Sequence, residues 1–308
     1  MGLSLVKWVG GKGQLLSELR RRYPSDLGTP SRNRYVEPFV GGGAVLFDVL
    51  ARFPGLSSVH ANDLNRELVN AYVVTRDRSD ELEGMLRSRA DEYLPLSHEQ
   101  RAEVFYGWRS RLNDLIDAHA DDTDPDGNHD VYGADSVEQA ALFLAILRTC
   151  FNGLCRYNGG GHFNAPHGRY ANPAICDSDR IHACSEALRP VTFHLGSYDR
   201  MAGHVDEHTF VYADPPYREL PGKPSFKAYQ RSGFNDDDQR RLAGFLRACH
   251  DGGAKVMTSN SDPHNGDPND DFFDTLYDWC TVDRVYARRA INSKGTGRGA
   301  ITEIIAWD

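Results

Sequence analysis

The sequence predicts an α/β fold: a mostly parallel sheet with a second, largely helical domain inserted into it. Three observations carry this. Short apolar segments of strand length recur along the chain, helical stretches alternate with them at both ends, and a long helical run breaks the alternation in the middle. Strands are expected at 34–39, 57–62, 191–195, 210–213, 255–259, 281–285 and 301–306, all carrying β-branched or aromatic residues. Helices are expected at 13–22, 44–52 and 236–250. The last two strands follow one another without a helix, which predicts an antiparallel hairpin at one end of the sheet. From Leu64 to Cys176 the pattern is helical over 67–89, 97–120 and 136–148, then turn-rich from Asn152 to Gly161. Residues 1–63 and 177–308 are therefore expected to form one domain and 64–176 the insertion. The Asp-rich run from Asp121 to Asp130 has no Glu at the twelfth position of a calcium loop, so it reads as a solvated loop.

Composition narrows the function classes. A chain of 308 residues, 40% hydrophobic and 10% aromatic, is neither collagen, coiled coil nor a disordered tail. Mean hydropathy is −0.54, and no apolar run approaches the roughly 18 residues of a membrane span. The glycine-rich N-terminus does not read as a secretory signal, so a cytoplasmic protein with no membrane partner is expected. None of the six cysteines forms a C-x-x-C pair. Free thiols are expected, and no metal. The net charge of −9 is a whole-surface average and does not exclude a local basic face for nucleic acid. The 44 acids divide into 31 Asp and 13 Glu, and the 35 bases into 29 Arg and 6 Lys. That bias fits a surface adapted to high salt; GC-rich codon usage explains it equally.

The most specific motif is Asp214-Pro215-Pro216-Tyr217, directly after an expected strand. Ligands of α/β sheets gather at the carboxyl ends of strands, and two prolines fix the backbone without adding N–H donors. The Asp214 carboxylate and the Pro215 carbonyl can both accept hydrogen bonds from an aromatic amine, while Tyr217 stacks on its ring. The amine's lone pair, delocalised in the free base, would thereby be localised for attack.

Glu37-Pro38-Phe39-Val40-Gly41-Gly42-Gly43 gives a glycine loop after the first strand, and Asp63 follows the second, where an acid commonly holds ribose hydroxyls. With neither a G-x-G-x-x-G fingerprint nor a P-loop, this combination suits a nucleoside cofactor lacking phosphates, such as S-adenosylmethionine. Lys7-Trp8-Val9-Gly10-Gly11-Lys12-Gly13 fails the P-loop pattern and leaves Lys12, at a helix start, free to meet a cofactor carboxylate.

These motifs, in this order, resemble the Dam-type DNA adenine N6-methyltransferases: Lys-Trp-x-Gly-Gly-Lys at 7–12, Glu-Pro-Phe-x-Gly-x-Gly at 37–43, Asn-Asp-x-Asn at 62–65 and Asp-Pro-Pro-Tyr at 214–217. Residues 151–158 and 163–170 are similar to the segments by which that family grips DNA and recognises GATC. The resemblance implies a Rossmann-like methyltransferase sheet carrying an inserted, mostly helical DNA-recognition domain. It implies Asp214, Pro215, Pro216 and Tyr217 as the catalytic residues, and Trp8, Lys12, Glu37, Phe39, Gly41, Gly43, Asp63 and Asp214 around the cofactor. On the DNA side it implies Phe151, Asn152, Leu154, Arg156, Asn158, Pro166, Arg169 and Tyr170. Leu154, Arg156 and Pro166 would read bases, and Phe151 and Asn152 would enter the duplex beside a flipped adenine. Members closest to the enteric type have Tyr in place of Phe151 and Lys in place of Ala171. Arg148, Arg156 and Arg169 are expected as an arginine grip. S-adenosylmethionine is the implied methyl donor and double-stranded DNA the substrate of an enzyme expected to be a monomer; a separately acting restriction endonuclease is a candidate partner that the sequence leaves open. A cytosine N4-methyltransferase and a non-catalytic DNA-binding relic of the fold are the alternatives.

Overall fold

The computed structural model describes residues 3–8, 10–121, 132–220, 234–287 and 301–308. The Asp-rich run, apart from Asp121, lies outside them, as does Val9. In chain order the elements are α1 (Leu16–Arg20), β1 (Arg34–Glu37), α2 (Ala44–Arg52), β2 (Ser58–Asp63), α3 (Arg66–Asp77), α4 (Ser79–Tyr93), α5 (His98–Ala118), α6 (Ser136–Thr149), α7 (Ser178–Leu188), β3 (Val191–Leu195), β4 (Thr209–Ala213), α8 (Asp236–Asp251), β5 (Lys255–Ser261), α9 (Phe272–Leu276), β6 (Thr281–Ala287) and β7 (Ile301–Trp307).

All seven expected strands form one sheet, in the order β3-β2-β1-β4-β5-β7-β6. The first five pair in parallel. β7 inserts antiparallel between β5 and β6, which is the expected terminal hairpin. The two chain directions diverge at β1 and β4, adjacent strands whose carboxyl ends carry the glycine loop and the Asp-Pro-Pro-Tyr segment. That crevice is where an open α/β sheet binds ligands.

Two cores flank the sheet. Tyr35, Val59, Phe193 and Phe210 face a large cluster shared with α2, α3, α7 and the central helices. Val36, Val211 and Ala213 face a smaller one with Leu242 and Leu246 of α8 and Phe273 of α9. α6 is buried on nearly all sides, from Val137 to Leu147, as expected of a helix apolar all round.

The structure corrects several boundaries. The helix expected over 67–89 is two helices broken at Arg78, whose backbone (φ −136°, ψ 41°) leaves the helical region. The first of them, α3, packs on the sheet, with Tyr72 stacked on Phe193 at 5.1 Å. The expected 13–22 helix divides into a 3-10 turn, Lys12–Gln14, and the short α1. α7 was not anticipated; Asp177 caps it by accepting from the Arg180 N–H. All six cysteines are free thiols. Among the described residues no helix is long and apolar enough to cross a membrane.

Candidate active site and DNA-facing loops

The glycine loop after β1 is shaped by what lies over it. Gly41 and Gly43 have positive φ (45° and 70°). A Cβ on Gly42 would lie 2.6 Å from the Trp8 Cβ, and one on Gly43 2.7 Å from the Tyr72 hydroxyl. Gly42 therefore needs glycine for space, and Gly43 for space and backbone freedom together. Tyr72 donates to the Gly41 carbonyl (2.8 Å), so α3 buttresses the loop from below while Trp8 covers it.

Asp63 closes the same corner. Its two oxygens accept from the Gly41 and Asn65 backbone N–H groups, both at 2.9 Å. Burial pushes its pKa up, against those bonds. Next to it Leu64 is 70% exposed, an apolar face beside an acid. Phe39 lies across from Tyr198 and Phe234, with centroids at 5.4 and 6.2 Å. Glu37 is buried and accepts from the Tyr35 hydroxyl (2.6 Å); burial holds its pKa well above the carboxylate range, with Asp214 and Asp63 adding to the rise.

A buried acid whose folded pKa is raised costs stability once the pH exceeds its unfolded value, near 4.3, and the cost grows until the folded pKa is passed. Glu37→Gln should therefore unfold at a higher temperature than the parent chain at pH 8 and lose that advantage near pH 4. A difference of about 1–3 kcal/mol is expected. Thermal melts at the two pH values check it.

Asp214 stands at the end of β4 with 21% of its side chain exposed. Its Oδ1 takes both the Lys12 ammonium (2.7 Å) and the Ser259 hydroxyl (3.0 Å). Among the described residues none bonds Oδ2. Burial raises the Asp214 pKa, opposed first by the Lys12 charge and then by the hydrogen bonds from Lys12 and Ser259. Lys12, itself only 7% exposed, also donates to the Gly10 carbonyl and lies 4.6 Å from the Tyr217 ring centroid. Lys12, expected near a cofactor carboxylate, thus pairs here with the carboxylate of Asp214. A base stacking on Tyr217 must use the other face of the ring or displace the ammonium. The Tyr217 hydroxyl donates to Glu303 on β7. Behind the prolines, Gln239 of α8 donates to the Pro216 carbonyl (2.9 Å), and Asn260 of β5 donates to Gln239 (3.1 Å). The segment is therefore held from three elements.

After α6 the chain forms an irregular lobe. Phe151 is 50% exposed, and Asn152 (φ 56°) is the one non-glycine residue with positive φ among the described residues. Strained backbone at an exposed tip is a feature of functional loops. The Phe151 N–H is bonded to the Pro166 carbonyl (2.8 Å), joining the two segments expected to face DNA, and Leu154 is half-buried. Arg156 spends Nε and Nη2 on Asn164 (2.7 and 2.9 Å). Asn158 closes its own turn by accepting from the Gly160 and His162 N–H groups. Tyr170 accepts from Lys7 (3.1 Å), and Arg169 is exposed. Of the expected arginine grip, Arg148 is half-buried and donates to the Leu5 carbonyl (2.8 Å). That guanidinium spends Nη2 on the chain's own backbone, whereas Arg169 is exposed.

The sequence model of the D12 class N6 adenine-specific DNA methyltransferases matches residues 8–291. The chain belongs to that family. It is 39% identical over 293 residues to the type II methyltransferase M.MjaIII of Methanocaldococcus jannaschii, covering 95% of this chain and 94% of that one. It is 32% identical to the type II methyltransferase M1.LlaDCHI of Lactococcus lactis, covering 97% and 93%. The DNA adenine methylase of Escherichia coli is 29% identical over 303 residues, covering 98% and 94%. Adenine-specific DNA methyl transfer is thus the family activity, with S-adenosylmethionine the implied methyl donor and DNA the substrate.

For a D12 methyltransferase, several residues of the site carry no motif signal. Ser259, Glu303 and Gln239 come from β5, β7 and α8, far along the chain from Asp214. Leu64 and Lys7 could have been noticed, because both lie inside the quoted motifs.

Proposed function

We propose that this chain methylates N6 of adenine in duplex DNA, within GATC, by flipping the base into the crevice at the carboxyl ends of β1 and β4. The observation that carries the reading is the Asp214 carboxylate, with Oδ1 held by Lys12 and Ser259 and Oδ2 left for an incoming amine. The GATC assignment rests on the likeness of residues 151–158 and 163–170 to the family's recognition segments.

Trp8, Gly41, Gly43, Asp63 and Leu64 fit the nucleoside end of S-adenosylmethionine: a cradle without side chains, a carboxylate for ribose hydroxyls and an apolar face for the purine. Glu37, buried and lacking a cationic partner among the described residues, suits the amino end. S-adenosylmethionine supplies a methyl group already activated on sulfonium, so the protein's task is positioning and electrostatics. Asp214 Oδ2 and the Pro215 carbonyl accept the two N6 hydrogens and localise the lone pair. Asp214 also stabilises the positive charge that develops on N6. Lys12 favours the ionised form of Asp214 in its dry site, and Glu303 and Gln239 fix Tyr217 and Pro216. The N6 proton leaves to water after transfer, so Asp214 need not be a strong base.

The lobe within 64–176 reads as the target-recognition domain: Phe151 and Asn152 enter the duplex, Leu154, Arg156 and Pro166 read bases, and Arg169 positions the backbone. Methylation of a plasmid by the purified protein, followed by mapping of N6-methyladenine, tests base, site and activity together; methylation at another motif, or of cytosine, overturns the reading. Arg156 still has Nη1 for a guanine edge, and its bonds to Asn164 hold the fork in place. Arg156→Ala should relax specificity at one position of the site by about 1–3 kcal/mol. Loss that is uniform across sequences, with a shallower salt slope, would mark a phosphate contact instead. The Asp and Arg excess carries a salt prediction: thermal midpoint and activity should rise with potassium chloride before DNA binding weakens. Stability already maximal at about 0.05 M would leave codon bias as the explanation.

A further inference from the structure

Away from the crevice, three histidines meet at the edge of the sheet. His60 lies on β2 and His194 on β3, the edge strand. Their register pairs His60 with Thr192 and Asn62 with His194, so the two imidazoles are diagonal neighbours on one face. His204 ends the 3-10 helix Tyr198–His204 that returns over β2. The His60 ring stacks on His204 at 4.2 Å, and His194 lies 4.6 Å from His204 and 5.1 Å from His60 between centroids. One ligand nitrogen from each residue falls within 4.8 Å of the others, and all three residues are half-buried.

We propose that His60, His194 and His204 form a binding site for one divalent transition-metal ion of the zinc type, which fastens β2, β3 and the following 3-10 helix together.

The donor set selects the ion. Three imidazoles suit Zn²⁺ and its neighbours in the first transition row, whereas Mg²⁺ and Ca²⁺ require oxygen ligands. Three nitrogens with a water in the fourth position complete a tetrahedral shell. Bonds of about 2.0–2.1 Å place the nitrogens about 3.3 Å apart. His60 Nδ1 and His194 Nε2 stand 2.9 Å apart, so the pair need open by only a few tenths of an ångström. The other nitrogen of His60, Nε2, lies 2.9 Å from the Ser58 hydroxyl. If it donates there, Nδ1 carries the lone pair that a metal needs, and the ring is held in orientation from behind. Neither nitrogen of His204 has a hydrogen-bond partner among the described residues. The nearby positive charge of Arg34 is paired with Asp206.

The site's place in the fold gives it a structural task. Two residues beyond His194, the Gly196 N–H bonds the Asp63 carbonyl (3.0 Å), and the Gly196 carbonyl accepts from Asn62 (3.0 Å). An ion joining His60 to His194 therefore pins the strand pair that supports Asp63, at the one parallel strand with an unpaired edge among the described residues.

The test uses tag-free, chelator-stripped protein titrated with Co²⁺ alone and then with Zn²⁺. The expected result is one equivalent bound, the visible absorption of a four-coordinate Co²⁺ site, its displacement by Zn²⁺, and a rise of several degrees in Tm with Zn²⁺ but not with Mg²⁺. His194→Ala and His204→Gln should each weaken binding at least tenfold. Ser58→Ala should weaken it less, while leaving the metal-free Tm near that of the parent chain. No binding to the parent chain at about 100 µM Co²⁺ overturns the proposal. So does binding that survives both histidine substitutions, which would assign the ion to other ligands of the chain.

Discussion

Asp214→Ala is expected to lower methyl transfer by on the order of 10² or more while leaving DNA affinity largely unchanged. The carboxylate is one of two acceptors proposed for the N6 amine and the only one bearing charge. It sits at the end of β4, apart from the lobe that carries Phe151, Arg156 and Arg169. Removing it also strands Lys12, a nearly buried ammonium, and an unpaired buried charge costs about 3–5 kcal/mol. Asp214→Asn separates the two effects. It keeps the shape and one carbonyl acceptor beside Lys12 and Ser259 but removes the charge that stabilises the developing positive N6. Single-turnover methylation and a DNA-binding isotherm on both variants check this. Near-parental turnover in Asp214→Asn, with a normal melting curve, would take the carboxylate charge out of the mechanism.

Lys12→Met should move the acid limb of the pH–rate profile towards higher pH. Burial raises the Asp214 pKa, and the Lys12 charge is the largest influence opposing that rise. Without it the carboxyl binds its proton more tightly. In the proposed mechanism the reactive form is the carboxylate, so activity is lost as pH falls through the Asp214 pKa, and in the variant that loss begins at a higher pH. On the acid limb each further pH step of one leaves a tenth as much carboxylate, so at any pH on that limb the variant should be slower than the parent chain. The rate should recover as the pH is raised. Lys12 is also expected beside the cofactor, so the profile is measured at saturating S-adenosylmethionine. A uniform drop with an unmoved limb would limit Lys12 to holding the cofactor.

The motifs were legible because their chemistry is local. Asp214 to Tyr217, the Gly41–Gly43 loop and Asp63 each sit at or just after a strand's end, and strand ends are where an α/β sheet presents groups to a ligand. The seven strands were legible for the same reason: each is a short apolar run bounded by residues that stop it. Helix boundaries were less so. Periodicity continues through Arg78 although the backbone breaks there, and α7 lacks a strong apolar stripe. The environment of Arg148 was not legible because charge alone does not say which face of a helix meets solvent; α6 is packed on nearly every side, and its half-buried arginine bonds the Leu5 carbonyl.

By itself the sequence determined the sheet, the places of the Asp-Pro-Pro-Tyr segment and the glycine loop at strand ends, and the family to which they belong. These depend on residue type and short spacing, which the linear chain carries intact. Only the tertiary structure decided what those groups bond to. Lys12 and Ser259 share one oxygen of Asp214 because the chain's N-terminal turn and β5 converge on the end of β4. Glu303 reaches Tyr217 because β7 inserts beside β5. His60, His194 and His204 meet because β2 and β3 pair in one register and a 3-10 helix folds back over them. Such contacts join residues tens to hundreds of positions apart, and burial of apolar surface, which is indifferent to sequence separation, brings them together.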